Sequence, residues 1–393
     1  MIYLDWAASA IPYADEIEAA YREATAVFAN PSAQHRFGKD ARAMLENARS
    51  RCAAVLGVSP ETLYFTSGAS ESNSLVLLSL LTRPSAGSLV ISTIEHPSVR
   101  EQAAVLEHCG WAVLTAPSDK NGCITPDAVL HTLRADTMLV AIMGVNNEVG
   151  SIQPVREIAR ALKARTAGKR PVHFHADMVQ SIGKLPIAEL GLADVDSASM
   201  SAHKIGGPRG IGLLYLKQPF SSGIRGGSQE HNIRPGTENL AGACALARCL
   251  EKTYTDFEQK FERAGELSRF LIEALHRLPE CSVIPAARIS ADMAEAPALA
   301  EASPRAFSPW IIQVSFKNVP AEIMTRCLSD RGIFVSAGSA CSSKKKNRPI
   351  LAALSVSPEI AQNAIRISIG HSTEKSDLEQ LIAAVTEIVK DFN

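Results

Sequence analysis

The sequence predicts an α/β protein built on a mostly parallel sheet, followed by a second, smaller α/β region. Four short segments are almost entirely apolar, as expected of strands that helices cover on both faces: 88–93, 138–145, 171–177 and 210–217. Segments with helical patterns lie between them, and this alternation is typical of a parallel sheet flanked by helices. The chain has 393 residues, which exceeds one simple core, so we expect two domains.

The helical segments of the first region carry recognisable ends. Residues 39–57 end on Gly57, and residues 154–168 begin with a proline and end on a glycine. Proline is tolerated in the first turn of a helix, and glycine is common just after the last one. Residues 253–278 are charged and amphipathic, which predicts one long helix linking the two domains.

The second region repeats the α/β pattern on a smaller scale. Its predicted strands and helices are strands at 310–316, 332–337 and 364–370, and helices near 320–330 and 374–391. Residues 285–308 are rich in Ala, Pro and Ser and show no clean period. We therefore expect this segment to be an exposed insertion.

The composition excludes several functional classes. The formal net charge is −1, so no overall basic field attracts nucleic acid. No apolar run approaches the ~18 residues that span a bilayer, and the first ten residues lack the basic region of a signal peptide. We expect a cytoplasmic enzyme that binds neither membranes nor nucleic acid directly.

The cysteines and histidines do not follow metal-binding spacings. The eight cysteines contain no CxxC pair, and the ten histidines form no HExxH motif, so no metal site is predicted. His173 and His175 lie on one face of a predicted strand, where a packing or hydrogen-bonding role is favoured over metal binding. Most of the cysteines are expected to be reduced, buried side chains, and Cys341 is the exception.

Lys204 lies in the segment SMSAHKIGGPRG, between small residues and glycines. A lysine reacts with aldehydes when desolvation or nearby charge lowers its pKa, and glycines allow the backbone to approach a ligand closely. No carboxylate is close in the preceding residues to hold its ammonium group. The segment alone leaves two interpretations open, namely a Schiff-base lysine and a lysine that closes a turn.

Three other residues follow or precede buried strands in positions suited to a ligand. Asp177 ends a strand, where it pairs with a cation such as a protonated pyridine nitrogen or caps the next turn. Ser70 opens a helix in FTSGASESNS, where it helps bind a phosphate or forms an ordinary N-cap. His96 follows a strand and either stacks on a flat ring and transfers protons or is structural.

Two residues near the C-terminus carry further chemistry. Cys341 lies among Gly, Ser and Ala beside three lysines, and nearby cations favour the reactive thiolate. The same lysines are also compatible with a solvated surface run. Arg366 interrupts an apolar strand, so a carboxylate of the protein or of a substrate is expected to pair with it.

With these segments in this order, the sequence resembles the cysteine desulfurases of the NifS/IscS type, in the aminotransferase class V family of pyridoxal-phosphate enzymes. The resemblance covers nearly the whole chain. It rests on IYLDWAAS, NPSAQHRFG, FTSGASES, EHPSV, VNNEVGSIQP, HADMVQSIGKLPI, SMSAHKIGGPRGIGLLY, GGSQEHNIRPGTEN, SAGSACSS and IRISIG.

The resemblance implies a role for each matching residue. Lys204 corresponds to the Schiff-base lysine, Cys341 to the sulfur-accepting cysteine and His96 to the histidine that stacks on the cofactor ring. Arg366 corresponds to the clamp on the substrate carboxylate. The remaining positions implied to bind the cofactor are Ala69, Ser70, Asn147, Asp177, Gln180, Ser201, His203 and Thr237, of which Asn147 also faces the substrate and Thr237 reaches the partner subunit's site.

The resemblance also implies the fold and the partners. The expected fold is the fold type I of pyridoxal-phosphate transferases, with a large domain at 15–257 and a small domain at 1–14 and 258–393 that carries the cysteine loop. The expected protein is a homodimer that converts L-cysteine to L-alanine and passes sulfur to an acceptor such as an iron–sulfur scaffold. A selenocysteine lyase, another class V aminotransferase and a cofactor-free paralogue stay open as alternatives.

Overall fold

The computed structural model describes residues 1–293, 305–338 and 348–392. Its strands are β1 (Ile2–Tyr3), β2 (Leu63–Thr66), β3 (Ser88–Ser92), β4 (Ala112–Ala116), β5 (Thr137–Ala141), β6 (His173–Asp177), β7 (Ser197–Ser201), β8 (Gly212–Leu216), β9 (Cys281–Ile284), β10 (Ile311–Phe316), β11 (Ile333–Phe334) and β12 (Ala364–Ser368). Its α-helices are α1 (Ala14–Ala26), α2 (Arg36–Leu56), α3 (Ala69–Leu78), α4 (Pro97–His108), α5 (Pro126–Thr132), α6 (Val155–Arg165), α7 (Leu240–Tyr254), α8 (Phe257–His276), α9 (Ala287–Met293), α10 (Ala321–Asp330), α11 (Pro349–Ala353), α12 (Pro358–Gln362) and α13 (Lys375–Phe392).

The larger sheet has seven strands in the order β2-β8-β7-β6-β5-β3-β4. All neighbouring pairs are parallel except those that β8 makes with β7 and β2. Strands β3 and β8 are buried along their whole length, which explains their continuous apolar sequences. The fold class and the mostly parallel sheet predicted from the sequence are confirmed.

The second region contains two smaller sheets. Strands β9, β10 and β12 form an antiparallel sheet, and β1 pairs with β11 in a parallel one. A single β-bridge joins Asp5 to Ser368, and another joins Ser336 to Arg366. The first residues of the chain therefore run beside strands from its last third, and this brings Asp5 and Arg366 together.

The structure contradicts the single long helix predicted at 253–278. The segment contains the end of α7 and all of α8, separated at Thr255 and Asp256. Asp256 adopts φ 51°, a left-handed conformation that no α-helix continues through. Lys260 donates a 2.6 Å hydrogen bond to the carbonyl of Thr255, which stabilises the break. The amphipathic period runs on across this break, so the pattern alone did not reveal it.

The expectation of an exposed insertion at 285–308 holds for only some of the described residues of that segment. Helix α9 begins at Ala287, and the Arg288 side chain on it is completely buried. Its guanidinium donates to the carbonyls of Val149 (3.3 Å) and Ser308 (2.7 Å). Phe307 is buried as well. Buried side chains therefore anchor both described ends of the segment, whereas Ala286, Ala287, Ser290, Ala291 and Ala306 are exposed. Residues 294–304 lie outside the described residues.

Candidate active site

A cavity of about 520 Å³ lies where strands β3, β6 and β7 end. Carboxyl ends of parallel strands are the usual ligand-binding edge of an α/β sheet. The cavity brings together ten of the residues singled out in the sequence. They are Ala69, Ser70, His96, Asn147, Asp177, Gln180, Ser201, His203, Lys204 and Arg366.

Lys204 reaches this cavity from a short 3₁₀ turn that directly follows β7. Its Nζ donates hydrogen bonds to the backbone carbonyls of Ala7 (2.8 Å) and Ala8 (2.9 Å). Both acceptors come from the first ten residues of the chain. These two hydrogen bonds hold the amine in a defined position at the cavity.

Asp177 ends β6 and is fixed by hydrogen bonds on both oxygens. Its Oδ2 accepts from Asn73 Nδ2 (2.9 Å), and its Oδ1 accepts from the Val179 N–H (3.0 Å). Asn73 is completely buried, and its own Oδ1 accepts from His175 Nε2 (2.8 Å) and from Ser199 Oγ (2.5 Å). The carboxylate is therefore held in one orientation at the floor of the cavity.

The two histidines of β6 have the hydrogen-bonding role that the sequence favoured. His173 Nε2 and His175 Nδ1 both pair with Ser197 Oγ, at 2.7 and 2.8 Å. Burial, together with His173, lowers the pKa of His175 to about 3, so its imidazole is neutral near neutral pH. Within the described residues, no cluster of three side chains suits a metal ion.

His96 caps the start of α4 and faces the cavity. Its Nδ1 accepts from the Ser98 N–H (3.1 Å), so we infer that the neutral ring carries its proton on Nε2. Burial lowers the pKa of His96, although the nearby Asp177 acts in the opposite direction. A neutral imidazole suits stacking and proton transfer beside a ligand.

Small residues and the start of α3 form an anion-binding corner of the cavity. Gly68 has φ 149°, which favours glycine, and α3 begins at Ala69. The first N–H groups of a helix have no intrahelical acceptor, and Ser70 and Ser201 add hydroxyl groups beside them. A Cβ atom at position 212 would lie 2.7 Å from the Gly68 Cα, so only glycine fits at this position of β8.

Arg366 is buried in the wall of the cavity with part of its guanidinium unsatisfied. Its Nη2 donates to Asp5 Oδ1 (2.8 Å), and its Nη1 donates to the carbonyl of Asn147 (2.9 Å). Among the described residues, its Nε has no hydrogen-bond partner, and neither does the buried Oδ1 of Asn147. Buried polar atoms are rarely left unpaired, so these atoms fit a polar ligand that enters the cavity.

The structure does not place Thr237 in this cavity and does not describe Cys341. Thr237 is exposed and is not among the residues that line it. Cys341 falls in 339–347, outside the described residues, so its environment is not described. The expected roles of both residues stay predictions.

Several residues at the site carried no local signal that sequence reasoning could use. Asp5, Ala7 and Ala8 act from the N-terminal segment, and Asn73 acts from within α3. Glu95, next to His96, is completely buried, and burial together with the nearby Asp177 raises its pKa to about 8. The quoted segments IYLDWAAS, FTSGASESNS and EHPSV contain these residues, but the sequence assigned none of them a role.

The chain is similar to known proteins over nearly its whole length. The aminotransferase class V profile matches residues 2–381. A NifS/IcsS protein homolog from Lactobacillus delbrueckii subsp. bulgaricus is 34% identical over 100% of this chain and 98% of its own length. A cysteine desulfurase IscS from Dictyoglomus turgidum is 34% identical over 99% of this chain and 94% of its own.

Solved structures are similar over the same length. A NifS-like protein has a TM-score of 0.87 and 31% identity, with 99% of each chain covered. A structure described as SspA in complex with cysteine has a TM-score of 0.77 and 29% identity, covering 94% of this chain and 99% of its own. In the described part of the chain, no helix is long and apolar enough to cross a membrane.

Proposed function

The chain belongs to the aminotransferase class V family, and from this membership we propose that it is a pyridoxal-phosphate-dependent cysteine desulfurase. The observation that carries the proposal is the meeting of Lys204, Asp177, His96 and Arg366 in one cavity. These side chains supply an amine, a fixed carboxylate, a neutral imidazole and a buried guanidinium. Each is required for a different part of the same reaction.

The residues present fit the cofactor. The anion-binding corner at Ala69, Ser70, Ser201 and His203 suits a phosphate group, and Asp177 would pair with the protonated ring nitrogen. Gln180 would face the ring hydroxyl, Asn147 would lie beside the ring, and Lys204 would bond to the aldehyde carbon. The unpaired Oδ1 of Asn147 supports a polar ligand at this place.

When bound, the cofactor supplies an electron sink for the negative charge that develops at the substrate Cα. Arg366 binds the substrate carboxylate and thereby orients the Cα–H bond. Lys204 moves the Cα proton, and Asp177 keeps positive charge on the ring nitrogen. His96, held on Ser98, assists proton transfers at the substrate thiol.

Cys341 completes the proposed reaction. Its thiolate attacks the sulfur of the bound cysteine, an S–S bond forms, and the C–S bond breaks. The electron pair of the C–S bond returns to Cβ, which is protonated so that alanine leaves. The products are alanine and a persulfide on Cys341, so the step needs no external oxidant or reductant.

The remaining expectations belong to the same proposal. The protein acts in the cytoplasm as a homodimer, with Thr237 reaching the phosphate in the partner subunit. Residues 15–257 form the large domain, and residues 1–14 and 258–393 form the small domain that carries Cys341. The sulfur passes to an acceptor protein, such as one that assembles iron–sulfur clusters.

The proposal is tested with purified protein carrying pyridoxal phosphate. Borohydride reduction followed by peptide mapping is expected to find the cofactor attached at Lys204, and L-cysteine is expected to yield alanine. Lys204→Ala is expected to lose the visible absorbance of the bound cofactor together with turnover, whereas Cys341→Ser keeps the absorbance. Reduction that leaves Lys204 unmodified in fully loaded protein contradicts the proposal.

A further inference from the structure

A second lysine lies behind the cavity and contacts Gln180. Lys184 is 6% exposed, and its Nζ donates a hydrogen bond to Gln180 Oε1. The Gln180 Nε2 donates to the carbonyl of Ala7 (2.9 Å), which is the same carbonyl that accepts from Lys204 Nζ (2.8 Å). Lys184 and Lys204 are therefore linked through the Gln180 amide and the Ala7 carbonyl.

The backbone around Lys184 is fixed on both sides. Gly183, the preceding residue, has φ 71°, and its N–H donates to Tyr254 Oη (2.9 Å). The Lys184 carbonyl accepts from Trp310 Nε1 (2.9 Å). Because these hydrogen bonds fix the main chain on both sides of Lys184, they also limit where its Nζ can lie.

A glutamine amide can face a ligand in two orientations of similar shape. A ring hydroxyl oxygen that accepts hydrogen bonds needs the NH2 group, whereas the carbonyl oxygen would repel it. The Lys184 Nζ donates to Gln180 Oε1, so this contact occupies the carbonyl end of the amide. The NH2 group then remains for Ala7 and for the cavity.

We propose that Lys184 is a positioning residue, which holds Gln180 Oε1 so that the Gln180 NH2 group is presented to the ring hydroxyl of the cofactor. This inference rests on the proposed function where it places the ring in the cavity. Lys184 itself does not line the large cavity, so it acts through Gln180. Without the lysine, Oε1 would lose the donor that satisfies it in a buried position, and this favours another position of the amide.

Burial and the neighbouring positive charges disfavour a charged lysine at position 184. Burial, followed by the Lys204 and Arg366 cations, lowers the pKa of Lys184 well below its ordinary value. A lysine kept in such a place has a cost that an apolar residue would avoid. Its Nζ carries N–H donors in either protonation state, so the contact with Gln180 persists across neutral pH.

The first test uses the protein without cofactor. A crystal structure of Lys184→Met is expected to show the Gln180 side chain displaced from the Ala7 carbonyl, and the matched control Lys163→Met, on the exposed face of α6, is expected to leave it in place. A Gln180 that keeps the same position in Lys184→Met overturns the proposal. This result does not depend on whether the protein desulfurates cysteine.

The second test uses the loaded protein and a double-mutant cycle. Lys184→Met is expected to weaken cofactor binding about two- to tenfold, the equivalent of one hydrogen bond, and to shift the pH dependence of the visible absorbance. Gln180→Ala is expected to cause the same changes, and the double variant no further change. Additive losses in the double variant overturn the proposal. Failure of the wild-type protein to bind the cofactor contradicts the proposed function instead, and the crystal structures then decide the role of Lys184.

Discussion

Arg366 offers the sharpest test of substrate recognition, through the variant Arg366→Lys. The wild-type guanidinium uses Nη2 for Asp5 and Nη1 for the Asn147 carbonyl, and its unpaired Nε is buried at the cavity wall. Lysine keeps the positive charge but loses the planar fork that binds a carboxylate through two parallel bonds. The variant therefore loses about one charge-assisted hydrogen bond to the substrate.

One such bond contributes about 1.5–3 kcal/mol, which corresponds to a rise of about 10- to 150-fold in KM at unchanged cavity shape. The assay is initial-rate alanine formation from L-cysteine. Sulfide release from cysteamine, which lacks the carboxylate, serves as the matched probe and is expected to change little. If Arg366→Lys impairs both substrates equally, or neither, Arg366 does not bind the carboxylate and the reasoning is refuted.

Three further predictions concern stability. Asn73→Ala leaves several buried groups without their hydrogen-bond partner, including the Asp177 carboxylate. The free energy of unfolding, measured by urea denaturation, is expected to fall by about 1–3 kcal/mol for each such group. An unchanged denaturation midpoint contradicts this role of Asn73. In the folded protein Glu95 keeps its proton up to about pH 8, whereas in the unfolded chain it loses the proton above about pH 4.5. The free energy of unfolding therefore falls by about 1.4 kcal/mol per pH unit between these two values. Glu95→Gln is expected to reduce the pH dependence of denaturation midpoints measured from pH 5 to 8. The same pH dependence in wild type and variant contradicts this role of Glu95. Arg49→Met leaves the buried Glu230 unpaired and is expected to cost about 3–5 kcal/mol, of which Glu230→Gln in the same chain restores a part; no restoration means that the pair is not the cause.

Part of the site could be predicted because some of its residues lie at the ends of strands that the local sequence reveals. Asp177 ends one apolar run and His96 follows another, and the carboxyl ends of such strands meet in space. Lys204 follows β7, whose sequence SASMS is not apolar, so only its own segment of small residues and glycines singled it out. The same buried runs predicted the mostly parallel sheet. These inferences need only the period of the sequence and the topology of an α/β fold.

The supporting contacts were not predictable because they join distant parts of the chain. Arg366 pairs with Asp5 across 361 positions, and Asn73 reaches Asp177 across 104. No periodicity within either segment encodes the partner. The break at Asp256 was missed for the opposite reason, since the amphipathic pattern continues through a residue whose backbone does not.

The central claim is that the amine of Lys204 and the thiol of Cys341 act on one bound L-cysteine. The most direct measurement is a single turnover of the loaded protein without oxygen, followed by mass spectrometry of its peptides and quantification of alanine. We expect one added sulfur atom on the peptide that carries Cys341, in equal amount to the alanine formed. Alanine formed while Cys341 gains no sulfur, or sulfur found on a different cysteine, would contradict the claim.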